Sequence, residues 1–341
     1  MAQLVVFDDA DEAIAVLTDF RSVQAVRTGA VTTLERIGAA AQEFGLAGVD
    51  ASIVRTPLAG MIGEGIEVLD GVPSGESVML VSGRCLQPKA ELFSCAVGEG
   101  IRSNTGRVVA YHAADASQAR MFLQRKREPD STRTIDVVTV ERPWDVVRHR
   151  MVILDHDLKS MVGMMASTLP AEHVVTLGDE AVRVDATAVI DPCVVLDARI
   201  GPVVIAAGAS VGAHSTVQGP AFIGPNTVIA AGASVRSGTS IGPYCKVGGE
   251  VSASIIQGYS NKAHDGYLGD SWVGEWVNIG AGSDTSNLLN TYGEVSCRWG
   301  PRAEREKTGL RYLGSIIGDH GKLAIGTRLM TGTVLGTATM S

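Results

Sequence analysis

The stretch IAAGASVGAHSTVQGPAFIGPNTVIAAGASVRSGTSIGPYCKV, from Ile205 to Val247, carries a repeat of six residues. An aliphatic residue stands at every sixth position, namely Ile205, Val211, Val217, Ile223, Ile229, Val235, Ile241 and Val247. From Val211 onward, a small residue precedes each of these by two positions. A period of six is neither helical nor a simple strand alternation, so it indicates short strands separated by corners.

This repeat predicts a parallel β-helix in which each hexad forms one flat side and points its aliphatic residue into a narrow interior. If three hexads close one coil, the aliphatic residues of every third hexad stack. The predicted columns are Ile205 with Ile223 and Ile241, Val211 with Ile229 and Val247, and Val217 with Val235.

The hexads extend on both sides of this stretch with interruptions. They begin near Val184 and resume from Ile317 to Leu335. The period is lost from about Ser252 to Ala263 and again between 283 and 315, where we expect a loop insertion. We therefore assign residues 176–341 to the β-helix and residues 1–175 to a first domain.

The composition excludes several classes of protein. The 341 residues include 29 Lys and Arg against 37 Asp and Glu, a net charge of −8, which disfavours nucleic acid or an anionic membrane surface as the main partner. The five cysteines are widely spread without a CxxC pair, so neither a disulfide framework nor a zinc knuckle is expected. The N-terminus lacks the pattern of a signal peptide and no apolar run is long enough for a membrane-spanning helix, so we expect a cytoplasmic protein.

The first domain shows strand-like apolar runs alternating with helical spacing, which predicts an α/β layer fold. The predicted strands are Leu4–Phe7, Val78–Val81, Val108–Tyr111 and Ile135–Val140, and the predicted helices are Val31–Phe44 and Ser117–Gln124. Residues 143–161 are expected to form a helical connector to the β-helix.

Residues 260–287, SNKAHDGYLGDSWVGEWVNIGAGSDTSN, resemble the acetyltransferase half of the bacterial bifunctional N-acetylglucosamine-1-phosphate uridyltransferase/glucosamine-1-phosphate acetyltransferase family, which has KAGH, then YLGD, then VNIGAG. Residues 21–37, RSVQAVRTGAVTTLERI, resemble the start of a divergent branch of bacterial sugar nucleotidyltransferases that carry the same domain. The resemblance implies an α/β nucleotidyltransferase-like domain followed by a left-handed parallel β-helix.

The resemblance also implies a transferase of cell envelope biosynthesis that uses acetyl-CoA and an amino-sugar phosphate or nucleotide sugar, on the way to UDP-N-acetylglucosamine. It implies a homotrimer, and it implies an NTP and Mg²⁺ if the first domain is active. His264 matches the base that takes a proton from the sugar amine, a task that suits an imidazole. The other matched positions are Arg236, Lys262, Tyr267, Asn278 and Asn287 for the sugar phosphate, Ala281 and Thr327 for the coenzyme, and Arg21 and Arg27 for a nucleotide.

Several departures from the family pattern limit this transfer. One residue is missing between Lys262 and His264 relative to KAGH, and Ser252 stands where the family has a phosphate-binding lysine, a role that Lys246 or Lys262 could fill. In the first domain, VVFDDADEAI replaces the glycine-rich loop that holds nucleotide phosphates, and Arg84 replaces a metal-binding aspartate, so Asp8, Asp9 or Asp11 would have to supply the metal ligand.

Two alternatives stay open. The β-helix could be only a trimerisation scaffold, with a nucleotidyltransferase or a nucleotide-sugar-binding protein in the first domain. A metal site on hexapeptide repeats, similar to that of the γ-class carbonic anhydrases, would need three histidines meeting across an interface, for which His214, His264 and His320 are the candidates.

Overall fold

The computed structural model of the protein describes residues 2–9, 11–46, 49, 51–53, 76–165 and 173–341. The chain divides into two compact units. Unit 1 comprises Met1–Val26 and Val31–Glu141, and unit 2 comprises Arg27–Ala30 and Arg142–Ser341. The domain boundary near residue 175 stays a prediction.

Unit 1 is a mixed sheet with helices. Its strands are β1 Gln3–Phe7, β2 Ala51–Ile53, β3 Val78–Ser82, β4 Glu99–Arg102, β5 Val108–Ala113 and β6 Ser131–Thr134. They lie in the order β2-β1-β3-β5-β4-β6, in which β5 runs antiparallel to both of its neighbours. The helices are α1 Ala15–Thr18, α2 Thr33–Glu43 and α3 Ala116–Leu123, with short 3-10 helices at Glu12–Ile14, Val23–Ala25 and Ala90–Phe93.

The core of unit 1 follows from the strand alternation. Leu4 and Val6 pack in one apolar cluster with Ile37 of α2, whereas Val5 and Phe7 pack in a second cluster with α3. Because successive strand residues point to opposite faces, β1 contributes to both clusters. The predicted α/β class is confirmed.

One predicted strand of unit 1 is wrong. Residues 135–140 form no strand apart from a single bridge between Thr139 and Cys85. Their backbone bonds go to separate partners, since Ile135 N donates to Arg102 O and Val140 N donates to Arg84 O. The apolar run reflects burial of Val137 and Val140 in an irregular segment.

Unit 2 is a three-sided prism of parallel strands. The first face contains β7 Val175–Leu177, β10 Val195–Asp197, β13 Thr216–Gln218, β16 Ser234–Val235, β19 Glu250–Ser252 and β22 Tyr267–Gly269. The second contains β8 Val182–Val184, β11 Val203–Ile205, β14 Ala221–Ile223, β17 Thr239–Ile241, β20 Ile255–Gly258, β23 Trp272–Glu275, β28 Ser315–Ile317 and β31 Thr333–Leu335. The third contains β9 Val189–Ile190, β12 Ser210–Val211, β15 Val228–Ile229, β18 Lys246–Val247, β21 Asn261–Lys262, β24 Asn278–Ile279 and β29 Lys322–Leu323.

The strand register confirms the predicted columns. Ile205 pairs with Ile223 and Ile223 with Ile241, Val211 pairs with Ile229 and Ile229 with Val247, and Val217 pairs with Val235. These side chains belong to one continuous buried cluster. The left-handed parallel β-helix of hexapeptide repeats is therefore the fold of this unit.

The later coils are shorter than the three full hexads of the regular ones. Val235 pairs with Val251, sixteen residues on, and Val247 is in register with Lys262, fifteen residues on. This shortening explains why the period is lost after residue 252 in the sequence: the coils continue, but with tighter corners.

A longer excursion separates β24 from β28. It begins after β25 Asp284–Thr285, which pairs with β30 Arg328–Leu329, and it contains the antiparallel pair β26 Ser296–Cys297 and β27 Glu306–Lys307. Arg142 pairs with Glu306 at 2.8 Å, and Trp299 Nε1 donates to the same carboxylate at 2.8 Å.

The helix α4, Asp145–Met164, packs on the second face of the prism. Leu154 and Leu158 are buried against Val204 and Phe222, which point outward from that face. No helix in the described part of the chain has the length and apolar character needed to cross a membrane.

Candidate functional site

His264 lies on an exposed corner between the third and first faces of the prism. It follows β21 and precedes β22. Asn261 pairs with Asn278 on the next coil, so His264 and Ala281 hold the same place on successive coils. Because neighbouring strands are about 4.8 Å apart, the predicted base and a predicted coenzyme-contact residue are neighbours along the prism.

Lys262 points into the prism, in the column of Val211, Ile229 and Val247. The residue is 2% exposed, and its Nζ donates to the carbonyl oxygens of Gly248 at 2.9 Å, His264 at 3.0 Å and Asp265 at 3.4 Å. Burial lowers the pKa of the ammonium to about 8, against the opposing effect of the Asp265 and Asp284 carboxylates. These carbonyls occupy the ammonium's donors, so its role as a substrate ligand stays a prediction.

The corner is also fixed on its far side. Gly266 has φ +102°, and a Cβ there would lie 2.1 Å from the backbone oxygen of Ser283. The next residue, Tyr267, donates its backbone N–H to Asp284 Oδ1 at 2.8 Å. Only glycine fits this approach of two coils, so Gly266 fixes where the backbone passes between His264 and Tyr267.

Tyr267 begins a partly buried polar network at the first face. Asn287 Nδ2 donates to Tyr267 Oη at 3.1 Å and to Asp270 Oδ2 at 2.7 Å, and Asp270 pairs with the guanidinium of Arg150 from α4. Burial, together with the Asp270 and Glu250 carboxylates, raises the pKa of Tyr267. Burial also lowers the pKa of Arg150, although Asp270 opposes this. The structure thus brings together two predicted sugar-site residues, Tyr267 and Asn287.

Asp270 and Arg150 are network residues that the sequence interpretation missed. Asp270 ends the YLGD motif, and this was the available signal, because a carboxylate in a recognised motif is a candidate partner for its polar neighbours. Nothing in the sequence around Arg150 pointed to the site.

Arg236 lies on the same face, two coils before the network's tyrosine. Its side chain is exposed and pairs with Glu250 at 2.8 Å, and Glu250 is in register with Tyr267. An exposed pair of this kind contributes little, about 0–1 kcal/mol, so the guanidinium can exchange its carboxylate for a ligand phosphate at small cost.

Asn278 lies on the third face and not with Tyr267. It lines a cleft of about 620 Å³ whose walls include Lys246, Asn261, Lys322 and Trp276. Lys246, Asn261, Asn278 and Lys322 occupy one outward register position on four successive coils. The predicted sugar-site residues therefore lie on two faces, Tyr267 on the first and Asn278 on the third, and the exposed corner of His264 lies between these faces.

Beside this cleft, four rings stack on successive coils. This aromatic column consists of Tyr244, Tyr259, Trp276 and His320, with centroid distances of 5.2, 5.3 and 6.4 Å. All four residues have positive φ, between 51° and 58°. The rings cover one another's faces and leave their edges to solvent.

The two predicted coenzyme residues occupy corners of neighbouring coils. Ala281 O accepts from Gly326 N at 2.8 Å, and Thr327 Oγ1 donates to Ala324 O at 2.8 Å. Both residues are partly exposed beyond His264 along the prism.

The two arginines predicted to bind nucleotide belong to different units. Arg21 is buried in unit 1. Arg27 belongs to unit 2, where its backbone N–H donates to Gln257 Oε1 at 2.7 Å and its Nε to Gln257 O at 3.2 Å. These bonds anchor the Arg27–Ala30 segment to the prism, and nucleotide binding by either arginine stays a prediction.

In unit 1, the candidate metal ligands are already bonded. Asp8 Oδ2 accepts from Val23 N at 2.8 Å. Asp9 pairs with Arg84 at 2.7 Å and also with Arg107, and Asp11 pairs with Arg107 at 2.9 Å and with Arg84 at 3.3 Å.

Asp9, Asp11, Arg84 and Arg107 form a cluster in which two carboxylates and two guanidiniums balance in charge. Burial raises the pKa of Asp11, but the Ala13 amide and the two guanidiniums lower it by more, so the carboxylate stays charged. Arg84 is fully buried, and its Nη1 donates to Val140 O at 2.7 Å. Among the described residues no group of three His, Cys, Asp or Glu side chains could hold a metal ion. Because Arg84 and Arg107 already pair with the carboxylates that would bind a metal ion, the residues of this cluster do not fit Mg²⁺.

Comparison with known proteins gives partial relatives of one kind. The protein named Bifunctional protein GlmU from Alkalilimnicola ehrlichii is 30% identical over 213 residues, which are 58% of this chain and 40% of that protein. Its namesake from Azoarcus sp. is 41% identical over 115 residues, covering 33% of this chain and 23% of that protein. A third, from Synechococcus elongatus, is 33% identical over 145 residues, covering 38% of this chain and 31% of that protein.

Over part of its length, the chain is similar in sequence to proteins named GlmU. It spans less than half the length of the GlmU proteins that it matches, and no family model matches it. The resemblance predicted from residues 260–287 is thereby confirmed at the level of sequence similarity.

A structural comparison returned a mutant of GDP-perosamine N-acetyl transferase from Caulobacter crescentus, in complex with CoA and GDP-perosamine. The two chains are 12% identical, and the match covers 100% of this chain and 93% of the other. The TM-score is 0.14, too low to relate the two folds.

Proposed function

We propose that the protein is a transferase whose β-helix moves an acetyl group from acetyl-CoA to the amine of an amino-sugar phosphate or nucleotide sugar. The observation that carries this proposal is the exposed His264 corner, followed three residues later by the Tyr267–Asn287–Asp270–Arg150 network. The sequence similarity to GlmU and the KAH, YLGD and VNIGAG motifs support it.

In the proposed reaction the amine nitrogen attacks the thioester carbonyl carbon. A carbon–nitrogen bond forms, the carbon–sulfur bond breaks, and coenzyme A leaves. His264 accepts the proton that the amine loses and returns it to the departing thiolate, a task suited to an exposed imidazole at neutral pH. In this proposal Arg236 binds the acceptor phosphate, while Tyr267, Asn278 and Asn287 hold the sugar.

The test is release of free thiol from acetyl-CoA against a panel of amino-sugar phosphates and amino nucleotide sugars. We expect release with at least one acceptor, and we expect His264→Asn to lose at least about a hundredfold in rate, as for removal of a general base. His173→Asn, an exposed histidine of the same unit, is the matched control. A wild-type protein that releases no thiol with any acceptor would overturn the proposal and favour the trimerisation scaffold.

Nucleotidyl transfer by unit 1 is the second candidate. The observation that favours it is a cleft of about 310 Å³ with three arginines in its lining, Arg102, Arg107 and Arg125, whose guanidiniums suit an anion. Asp8, Asp9 and Glu128 also line this cleft, and Arg102 and Arg107 pair with Glu128 and Asp9, so an anion would have to displace these carboxylates. Its test is pyrophosphate formation from an NTP and a sugar 1-phosphate, with Mg²⁺ and with a chelator. No pyrophosphate from any NTP would leave this unit a binding or structural module.

The homotrimer, the cytoplasmic location and UDP-N-acetylglucosamine as the downstream product are parts of the same proposal. The three-histidine metal site needs residues from two chains, and in this structure His320 stacks on Trp276. Sedimentation of the protein with and without zinc distinguishes a trimer that forms without metal from an assembly that a shared metal site holds together.

A further inference from the structure

Lys262 is a charged residue in a column that is otherwise aliphatic. The inward residues that precede it on the third face are Ile190, Val211, Ile229 and Val247, and those that follow are Ile279 and Leu323. A cation in such an interior is costly unless its donors are satisfied. The hydrogen-bond acceptors of the ammonium therefore show why the charge is tolerated inside the prism.

On two other coils, a serine hydroxyl bonds the backbone of the next coil at the equivalent corner. Ser215 Oγ donates to Ala230 O at 2.8 Å, and Ser283 Oγ donates to Ala324 O at 3.2 Å. In both pairs the acceptor is the first residue after the inward aliphatic residue of the next coil, Ile229 or Leu323.

At the shortened coil this hydroxyl is missing. The acceptor that follows Val247 is Gly248 O, and the residue of the preceding coil in the serine position is Ala233. Lys262 Nζ donates to Gly248 O in place of the hydroxyl. Its two other bonds go to the carbonyl oxygens of His264 and Asp265, so one ammonium joins the shortened coil to the exposed corner.

We propose that Lys262 is a positioning residue that holds the His264–Asp265 backbone in place from inside the prism. This inference deepens the proposed acetyl transfer, on which its catalytic consequence rests. The charged groups that act on the ammonium are Asp265 on its own corner and Asp284 on the next coil. A charge-assisted bond to a carbonyl is stronger than a neutral one, so the protonated amine fixes the corner best.

The test compares Lys262→Met with Lys159→Met, which removes an exposed lysine of α4 that pairs with Asp155. The readouts are the rate of thiol release, the imidazole and backbone amide NMR resonances of His264, and the circular dichroism spectrum. In Lys262→Met we expect kcat to fall roughly ten- to hundredfold with little change in KM, because misplacing a reacting group lowers the rate of the chemical step. The His264 resonances shift in this variant, and Lys159→Met leaves both kcat and the resonances unchanged.

The resonances separate failure of this inference from failure of the proposed function. If the wild type releases no thiol but the His264 resonances move in Lys262→Met, the acetyl-transfer proposal fails while the positioning role stands. Unchanged His264 resonances and an unchanged kcat in folded Lys262→Met would overturn the positioning role.

If Lys262→Met does not fold, a pH titration of the wild-type protein tests the positioning role instead. The backbone carbonyl ¹³C resonances of His264 and Asp265, which accept the two bonds, are then followed from pH 7.5 to pH 10, a window around the pKa of about 8 of the buried ammonium. A common transition of both carbonyls within that window supports the positioning role, and flat carbonyl shifts contradict it.

Discussion

The side-chain amide of Asn287 donates to the carboxylate of Asp270 at 2.7 Å, and Asp270 also pairs with Arg150. The side chain of Arg150 is 15% exposed and that of Asp270 is 8% exposed. Taking one partner from such a pair leaves the other as an uncompensated buried charge. The Asn287–Asp270 contact therefore depends on an ion pair that tolerates little change.

Asp270→Asn should lower the free energy of unfolding by about 3 kcal/mol, because Arg150 keeps its charge and loses its carboxylate. Urea unfolding measures this change. The matched control is Asp155→Asn, which breaks the exposed pair with Lys159 and should cost less than about 1 kcal/mol. Equal losses in the two variants would contradict the buried network.

Gly266→Ala should destabilise the β-helix by at least about 2 kcal/mol, since φ is +102° and the new Cβ would meet Ser283 O at 2.1 Å. Gly232 occupies the same kind of corner with φ +70° and has no atom within 4 Å of a built Cβ. Gly232→Ala should cost only about 1 kcal/mol. Thermal unfolding of both variants checks the difference, and a smaller loss in Gly266→Ala would refute the close approach of the coils.

Burial lowers the pKa of Lys262 from its ordinary 10.5 to about 8 in the folded protein. Between these two values the unfolded chain binds more protons than the folded one, so stability should rise with pH across that window. The free energy of unfolding of the wild type minus that of Lys262→Met should increase from pH 8 to pH 10.5 and stay constant below pH 8. The slope can reach about 1.4 kcal/mol per pH unit for one proton. Urea titrations at several pH values measure it, and a flat difference would mean that the ammonium is not buried.

Arg84→Met should lower the free energy of unfolding by about 3 kcal/mol, because Arg84 is fully buried between Asp9, Asp11 and Val140 O. Lys89→Met, which removes an exposed contact to Asp136 at 3.9 Å, should change it by less than about 1 kcal/mol. Calorimetry with MgCl₂ should show no binding of the ion at this cluster in the wild type, because Arg84 and Arg107 already pair with Asp9 and Asp11.

The regular part of the prism was predictable from sequence because one physical demand repeats. Every coil must place an aliphatic side chain inward on each of three faces, so Ile205, Ile223 and Ile241 mark a column without any knowledge of the corners. The strand order of unit 1 was not predictable, because sheet order depends on packing between segments with no common period.

The site was predictable only in part. His264, Tyr267 and Asn287 stand in recognised motifs, whereas Arg150 reaches Asp270 over 120 residues of chain with no local pattern. Lys262 was assigned to the substrate from its place in the KAH motif, which carries no information on whether the side chain points inward or outward. Its inward direction follows from the shortened coils, which shift the register between Val247 and Val251, and a fixed period of six cannot show that shift.

Each coil of the prism touches only the coils on either side, so the array behaves as a one-dimensional chain of nearest neighbours. The aromatic column spans four successive coils, with His264 between the coil positions of Tyr259 and Trp276. Fraying that starts at the C-terminal coils must separate Trp276 from His320 before it arrives at His264. The chain contains four tryptophans, so in a variant that keeps Trp276 and replaces the other three, the indole fluorescence would report how far unfolding has advanced toward the His264 corner.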